Sequence, residues 1–82
     1  MIVGFGDEAT EDVFHGDNTK AARHIPTVVW NTASRKLDRL NAAHAWRDLL
    51  AGHHSMRIND QFRVVFRWKN GHAHDVRIRD YH

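Results

Sequence analysis

Eighty-two residues, 41% hydrophobic and 27% charged with no cysteine, suffice for one compact domain over residues 1–82. The composition excludes a disulfide framework, a cysteine-ligated zinc site and a thiol nucleophile. No apolar run approaches the roughly 18 residues of a membrane span, and Asp7-Glu8 stand where a secretory leader would be basic and then apolar, so a cytoplasmic protein without a membrane partner is expected.

The formal charge is only +2, but it is unevenly spread. Five acidic residues and no Lys or Arg precede residue 20, whereas Arg57, Arg63, Arg67, Lys69, Arg77 and Arg79 face only Asp60 and Asp75 between residues 57 and 79. A cationic field concentrated in this way suits a polyanion, although a solvated strand face would give the same count.

In chain order, Ile2, Val3 and Phe5 suggest a short opening strand, and Asp7 to Phe14 a short helix stopped by His15-Gly16. Residues 16–24 are polar and read as a connecting loop. Pro26 fits the first turn of a second helix, where its missing N–H costs nothing. There Val29, Ala33, Leu37 and Leu40 make one apolar stripe and leave Arg35, Lys36, Asp38 and Arg39 largely outside. Asn41 marks its end, and Ala45, Trp46, Leu49 and Leu50 predict a further short helix that closes near Gly52.

The period then changes. Met56 and Ile58, and after Asn59-Asp60 the residues Phe62, Val64, Phe66 and Trp68, alternate with polar side chains as half-buried strands do. Asn70-Gly71 is a turn signal ahead of a last strand with Val76 and Ile78. A two-residue loop there would set Val65 against Val76 and Arg63 against Ile78, mixing charge with apolar groups on one face. A three-residue loop, Asn70-Gly71-His72, pairs Phe66 with Val76 and Val64 with Ile78, and is the expected one. It collects Arg63, Arg67, Lys69, Arg77 and Arg79 on the opposite face, with Arg67 across from Asp75. Arg63 then lies opposite Arg79, a repulsion of up to about 1 kcal/mol that an anion would relieve.

The chain closes on Asp80-Tyr81-His82, which sets a carboxylate, a phenol and an imidazole at the edge of that basic face. RNA cleavage needs such groups: a base for the 2′-hydroxyl, an acid for the departing 5′ oxygen, and cations around the phosphorane. His82 suits acid or base work, Asp80 base work or the orienting of His82, Arg63 the phosphate, and Tyr81 stacking. No metal is required for this chemistry. Strict alternation sets Asp80 and His82 on the apolar side, so the last strand is expected to end or bulge near Arg79. Of the eight histidines, His72-x-His74, His53-His54 and His82 do not have diagnostic ligand spacing, and no metal or other cofactor is expected. Trp30, Trp46 and Trp68 read as core or partner-contact residues.

The run Ser55-Met56-Arg57-Ile58-Asn59-Asp60-Gln61-Phe62-Arg63-Val64-Val65-Phe66-Arg67-Trp68, followed by Asp75-Val76-Arg77-Ile78-Arg79-Asp80-Tyr81-His82, closely resembles the C-terminal half of HigB-like toxins of the RelE/ParE superfamily. Leu37 to Ala43 and Trp46 to Leu49 are similar to that family's second helix and the segment after it, while residues 1–30 match loosely. The resemblance implies an α+β fold, with N-terminal helices on a small twisted, mainly antiparallel sheet. It also implies a ribosome-dependent endonuclease acting on mRNA, neutralised by a HigA-like helix-turn-helix antitoxin and reaching operator DNA only through that antitoxin. By position, Asp80, Tyr81 and His82 match the family's terminal active-site residues and Arg63 its phosphate-contacting arginine. Arg57, Arg67, Lys69, Arg77 and Arg79 complete the expected RNA-binding set. Between Leu49 and Gly52 the family carries a longer stretch; its absence would remove a second imidazole and a phosphate-binding lysine, for which His53 or His54 would be partial substitutes. That departure keeps two other readings open, a non-catalytic or gyrase-inhibiting ParE-type toxin and a plain RNA-binding module.

Overall fold

A computed structural model describes residues 1–42 and 51–81. Its elements are α1 (Glu8–His15), a 3-10 turn (Ala22–His24), α2 (Thr27–Ala42), β1 (Gly52–Arg57), β2 (Phe62–Lys69) and β3 (His72–Asp80). The strands form an antiparallel sheet in the order β1-β2-β3, with both helices packed on one side. The expected α+β arrangement is therefore what the chain adopts. The helix predicted over Ala45 to Leu50 lies outside the described residues.

Local chemistry sets the helix bounds. The Asp7 carboxylate accepts from the Thr10 N–H at 2.8 Å and caps α1, while Glu8 and Glu11 in its first turn favour the positive end of the helix dipole. Pro26 stands just ahead of α2, one residue earlier than expected, and its carbonyl accepts from the Val29 N–H at 2.9 Å. All four members of the predicted stripe, Val29, Ala33, Leu37 and Leu40, are buried, whereas Val28 on the other face is 87% exposed. The polar stretch before α2 is tighter than a plain loop: the Thr19 hydroxyl donates to the Asp12 carboxylate at 2.6 Å and accepts from the Ala22 N–H at 3.0 Å.

The helical stripe meets Phe62, Val64, Phe66, Trp68, Ala73, Val76 and Ile78 from the sheet, all buried in the same core. Burying each large apolar side chain contributes about 1.5–3 kcal/mol, enough to make this contact the main support of the fold. Trp68 is thus a core residue, and Trp30, half-buried, donates its indole N–H to the Ile25 carbonyl at 2.7 Å. Trp46 lies outside the described residues.

The β2–β3 hairpin corrects the expected loop. Lys69 pairs with His72, so only Asn70 and Gly71 form the turn, with φ of 55° and 78°. Both values are left-handed, as a type I′ turn demands, and asparagine and glycine meet that demand at least cost. Trp68 then pairs with Ala73 and Arg67 with His74, the register rejected on face-mixing grounds. One extra residue enters β3 as a bulge, however, and from Val65↔Arg77 onward the pairs are the expected Val64↔Ile78 and Arg63↔Arg79. Asp75, with φ of 52°, occupies the bulge. The extra residue restores the alternation, so Ala73, Val76 and Ile78 all reach the core.

The outer edge of β3 is covered by the chain's own start. Ile2 and Phe5 form parallel bridges with Ala73 and Val76, so the predicted opening strand exists as two isolated bridges. The Val3 N–H donates to the Ala73 carbonyl and the Gly6 N–H to the Val76 carbonyl, both at 2.9 Å. The Asn41 side-chain oxygen accepts from the Ile2 N–H at 3.0 Å, tying this segment to the end of α2. Beyond Gly6 the edge passes to α1, whose buried Thr10 hydroxyl accepts from the Ile78 N–H.

Candidate functional site

The sheet face away from the helices carries the cations. Directly opposed residues in an antiparallel sheet share a face, and the pairings Arg57↔Arg63 and Arg63↔Arg79 set three arginines abreast across the three strands. The next row is Ser55, Val65 and Arg77, and the one beyond is His53, Arg67 and His74. Lys69 pairs with His72 at the turn end, exposed and remote from the arginine row. The register shift at the bulge keeps Arg77 and Arg79 on this face together with Arg63 and Arg67.

Several of these charges are already engaged. Arg57 is ion-paired with Asp60 in the β1–β2 connection, where the Asn59 side-chain oxygen accepts from the Gln61 and Phe62 N–H groups at 2.8 and 2.7 Å. Arg67 Nη2 lies 3.6 Å from an Asp75 carboxylate oxygen. Arg63 is different: its guanidinium sits 4.4 Å from the centre of the Tyr81 ring and donates to the Ser55 hydroxyl at 3.2 Å. Ring and hydroxyl fix its plane without neutralising its charge, which leaves a cation available to an anion.

Tyr81 is 59% exposed and anchored through its backbone, whose N–H donates to the Gln61 carbonyl. Asp80 stays in the β3 ladder opposite Phe62, so it belongs to the apolar-side register, and Gln61 Nε2 donates to its carboxylate at 3.1 Å. The break in β3 expected near Arg79 lies instead at Asp75, and the strand runs on through Asp80. His82, the remaining expected site residue, lies outside the described residues. Ser55 and Gln61 were not singled out from sequence. Period-two counting from Arg63 and its β1 partner would have found Ser55, but the Gln61–Asp80 contact depends on how the connection folds.

Beside this cluster is a groove of about 510 Å³, lined by His53, His54, Ser55, Val65, Phe66, Arg67, Asp75, Arg77 and Arg79. Arg77 enters it across Gly6, where a β-carbon would overlap the arginine side chain. Its Nε is buried with no hydrogen-bond partner among the described residues. Among the described residues no three histidines or carboxylates gather as metal ligands would, and no helix is long and apolar enough to cross a membrane.

Comparison with known proteins fits this geometry. The chain is 34% identical to Toxin HigB-1 of Vibrio cholerae serotype O1, over 89% of this chain and 90% of that protein. The aligned length of 87 residues exceeds the chain's 82, so some positions of that relative have no counterpart here. A family model described as the RelE-like toxin of the type II toxin-antitoxin system HigB matches residues 4–82, which include both helices, the arginine row and the terminal triad. The chain belongs to this HigB-like family and is a toxin of the type II toxin-antitoxin kind.

Proposed function

We propose that the protein is an endoribonuclease that cleaves mRNA on the ribosome without a metal ion and is silenced by a helix-turn-helix antitoxin. The observation that carries this reading is the Arg63 guanidinium, held over the Tyr81 ring at the middle of the Arg57–Arg63–Arg79 row. A phosphodiester bound there would have its charge met by Arg63 and Arg79 and a neighbouring base stacked on Tyr81.

In the reaction, a base removes the 2′-hydroxyl proton as that oxygen bonds to the adjacent phosphorus. The P–O5′ bond breaks, an acid protonates the leaving 5′ oxygen, and a 2′,3′-cyclic phosphate remains. Arg63 stabilises the charge gathered on the phosphorane. His82 and Asp80 are the groups of the C-terminal motif suited to the proton transfers. The antitoxin follows from the family and from the surface, because an uncovered cationic face binds RNA indiscriminately.

The test is translation-dependent cleavage of a reporter mRNA by purified protein, with Arg63→Ala and His82→Ala for comparison. Large losses in both variants are expected; unchanged cleavage in both would defeat the assignment. Growth arrest with gyrase inhibition and intact mRNA would favour a ParE-type mode of action, a reading that the aligned positions missing from this chain keep open.

A further inference from the structure

The cationic face contains one feature that a simple phosphate track would not need. Asp75 projects a carboxylate beside Arg67, Arg77 and Arg79 in the groove, at a bulge position where glycine is the usual choice because φ is positive. Aspartate tolerates that conformation, but there it sets a negative charge where a phosphate would be repelled. Arg67, four residues along β2 from Arg63, is about 13 Å away at the usual strand rise, which is the reach of a nearby nucleotide's base.

We infer that this groove reads a base, and that Asp75 makes it a subsite for guanine in the RNA; the inference rests on the nuclease reading above. Two adjacent donors on the Watson–Crick edge of guanine, N1–H and the N2 amino group, match the two oxygens of one carboxylate. Adenine and cytosine offer such a carboxylate their amino group, and uracil its single imino N–H. Arg67, 3.6 Å from the Asp75 oxygen, is placed to donate to the guanine O6. Val65 provides an apolar floor, with His53, the β1 partner of Arg67, at the β1 side.

The experiment maps cleavage sites on reporter mRNAs in a translating extract for the wild type, Asp75→Asn and Asp75→Gly. Both replacements accept a positive φ, so the hairpin is kept, and melting curves verify it. The wild type is expected to cut at sites with guanine at one fixed offset about tenfold or more in preference to the same sites with adenine. Inosine, which lacks the amino group, should be intermediate. In both variants that preference should collapse, with cleavage at the guanine sites falling to the level of their adenine counterparts. An unchanged site pattern in Asp75→Asn overturns the guanine subsite and leaves the nuclease reading standing. A wild type that cleaves nothing overturns the nuclease reading and the subsite with it.

Discussion

The Thr10 hydroxyl accepts a hydrogen bond from the Ile78 backbone N–H at 2.8 Å, joining α1 to a strand 68 residues further along the chain. The bond is buried, and it satisfies an edge donor that no strand covers. Thr10→Ala should therefore cost about 1–3 kcal/mol, because the N–H is left unpaired away from water. In a domain of this size each kcal/mol lowers the melting temperature by roughly 4–8 °C. Thr10→Ser should recover most of the loss, and thermal denaturation followed by circular dichroism reads both.

Tyr81 offers both a ring and a hydroxyl, and two substitutions separate them. Tyr81→Phe keeps the surface beneath the Arg63 guanidinium and should preserve RNA binding, so any fall in cleavage reports on the hydroxyl. Tyr81→Ala removes the platform and should weaken binding as well. Arg63→Ala should lower the cleavage rate by about 10²–10³, the usual cost of losing one preorganised donor at a developing charge. Single-turnover rates and oligonucleotide binding, measured side by side, distinguish these outcomes.

Arg63 and Arg79 repel across the sheet until an anion joins them. Arg79→Gln should leave the free protein unchanged or stabilise it by up to about 1 kcal/mol at low salt. The same change should weaken RNA binding for all sequences alike and reduce the slope of log affinity against log salt by about one. Urea denaturation at two ionic strengths and binding titrations over a salt series measure the two effects.

The Arg77 side chain fills the space above Gly6. Gly6→Ala should displace it and cost about 1–3 kcal/mol through overpacking. Gly6→Ala combined with Arg77→Ala should be more stable than the sum of the single effects predicts, since the second change removes the obstacle. A double-mutant cycle on chemical denaturation reads the coupling directly.

The helices and the basic face were legible in the sequence because their information is local. Asp7 caps α1, and the four-residue stripe from Val29 to Leu40 identifies the buried side of α2. The alternation from Phe62 to Trp68 separates the core face from the charged face of β2. The hairpin was legible only in part. Face-matching found the true pairs Val64↔Ile78 and Arg63↔Arg79, but assigned the surplus residue to the turn. The Asn70-Gly71 turn keeps its preferred two-residue form, and the surplus sits at Asp75. Periodicity could not locate it because either position gives the same faces beyond Val65. The Gly6–Arg77 contact, the Arg63–Tyr81 stack and the Thr10–Ile78 bond join residues far apart in sequence, and no period within one element encodes them.

Val3 and Gly6 donate their backbone N–H groups to β3, and Met1 and Gly4 accept from it through their carbonyls. During synthesis from the amino end, this segment must wait until β3 has emerged before it can dock. The arginine row likewise needs Arg79 from that late strand. A nascent chain whose β3 is still inside the ribosome consequently has no assembled arginine row.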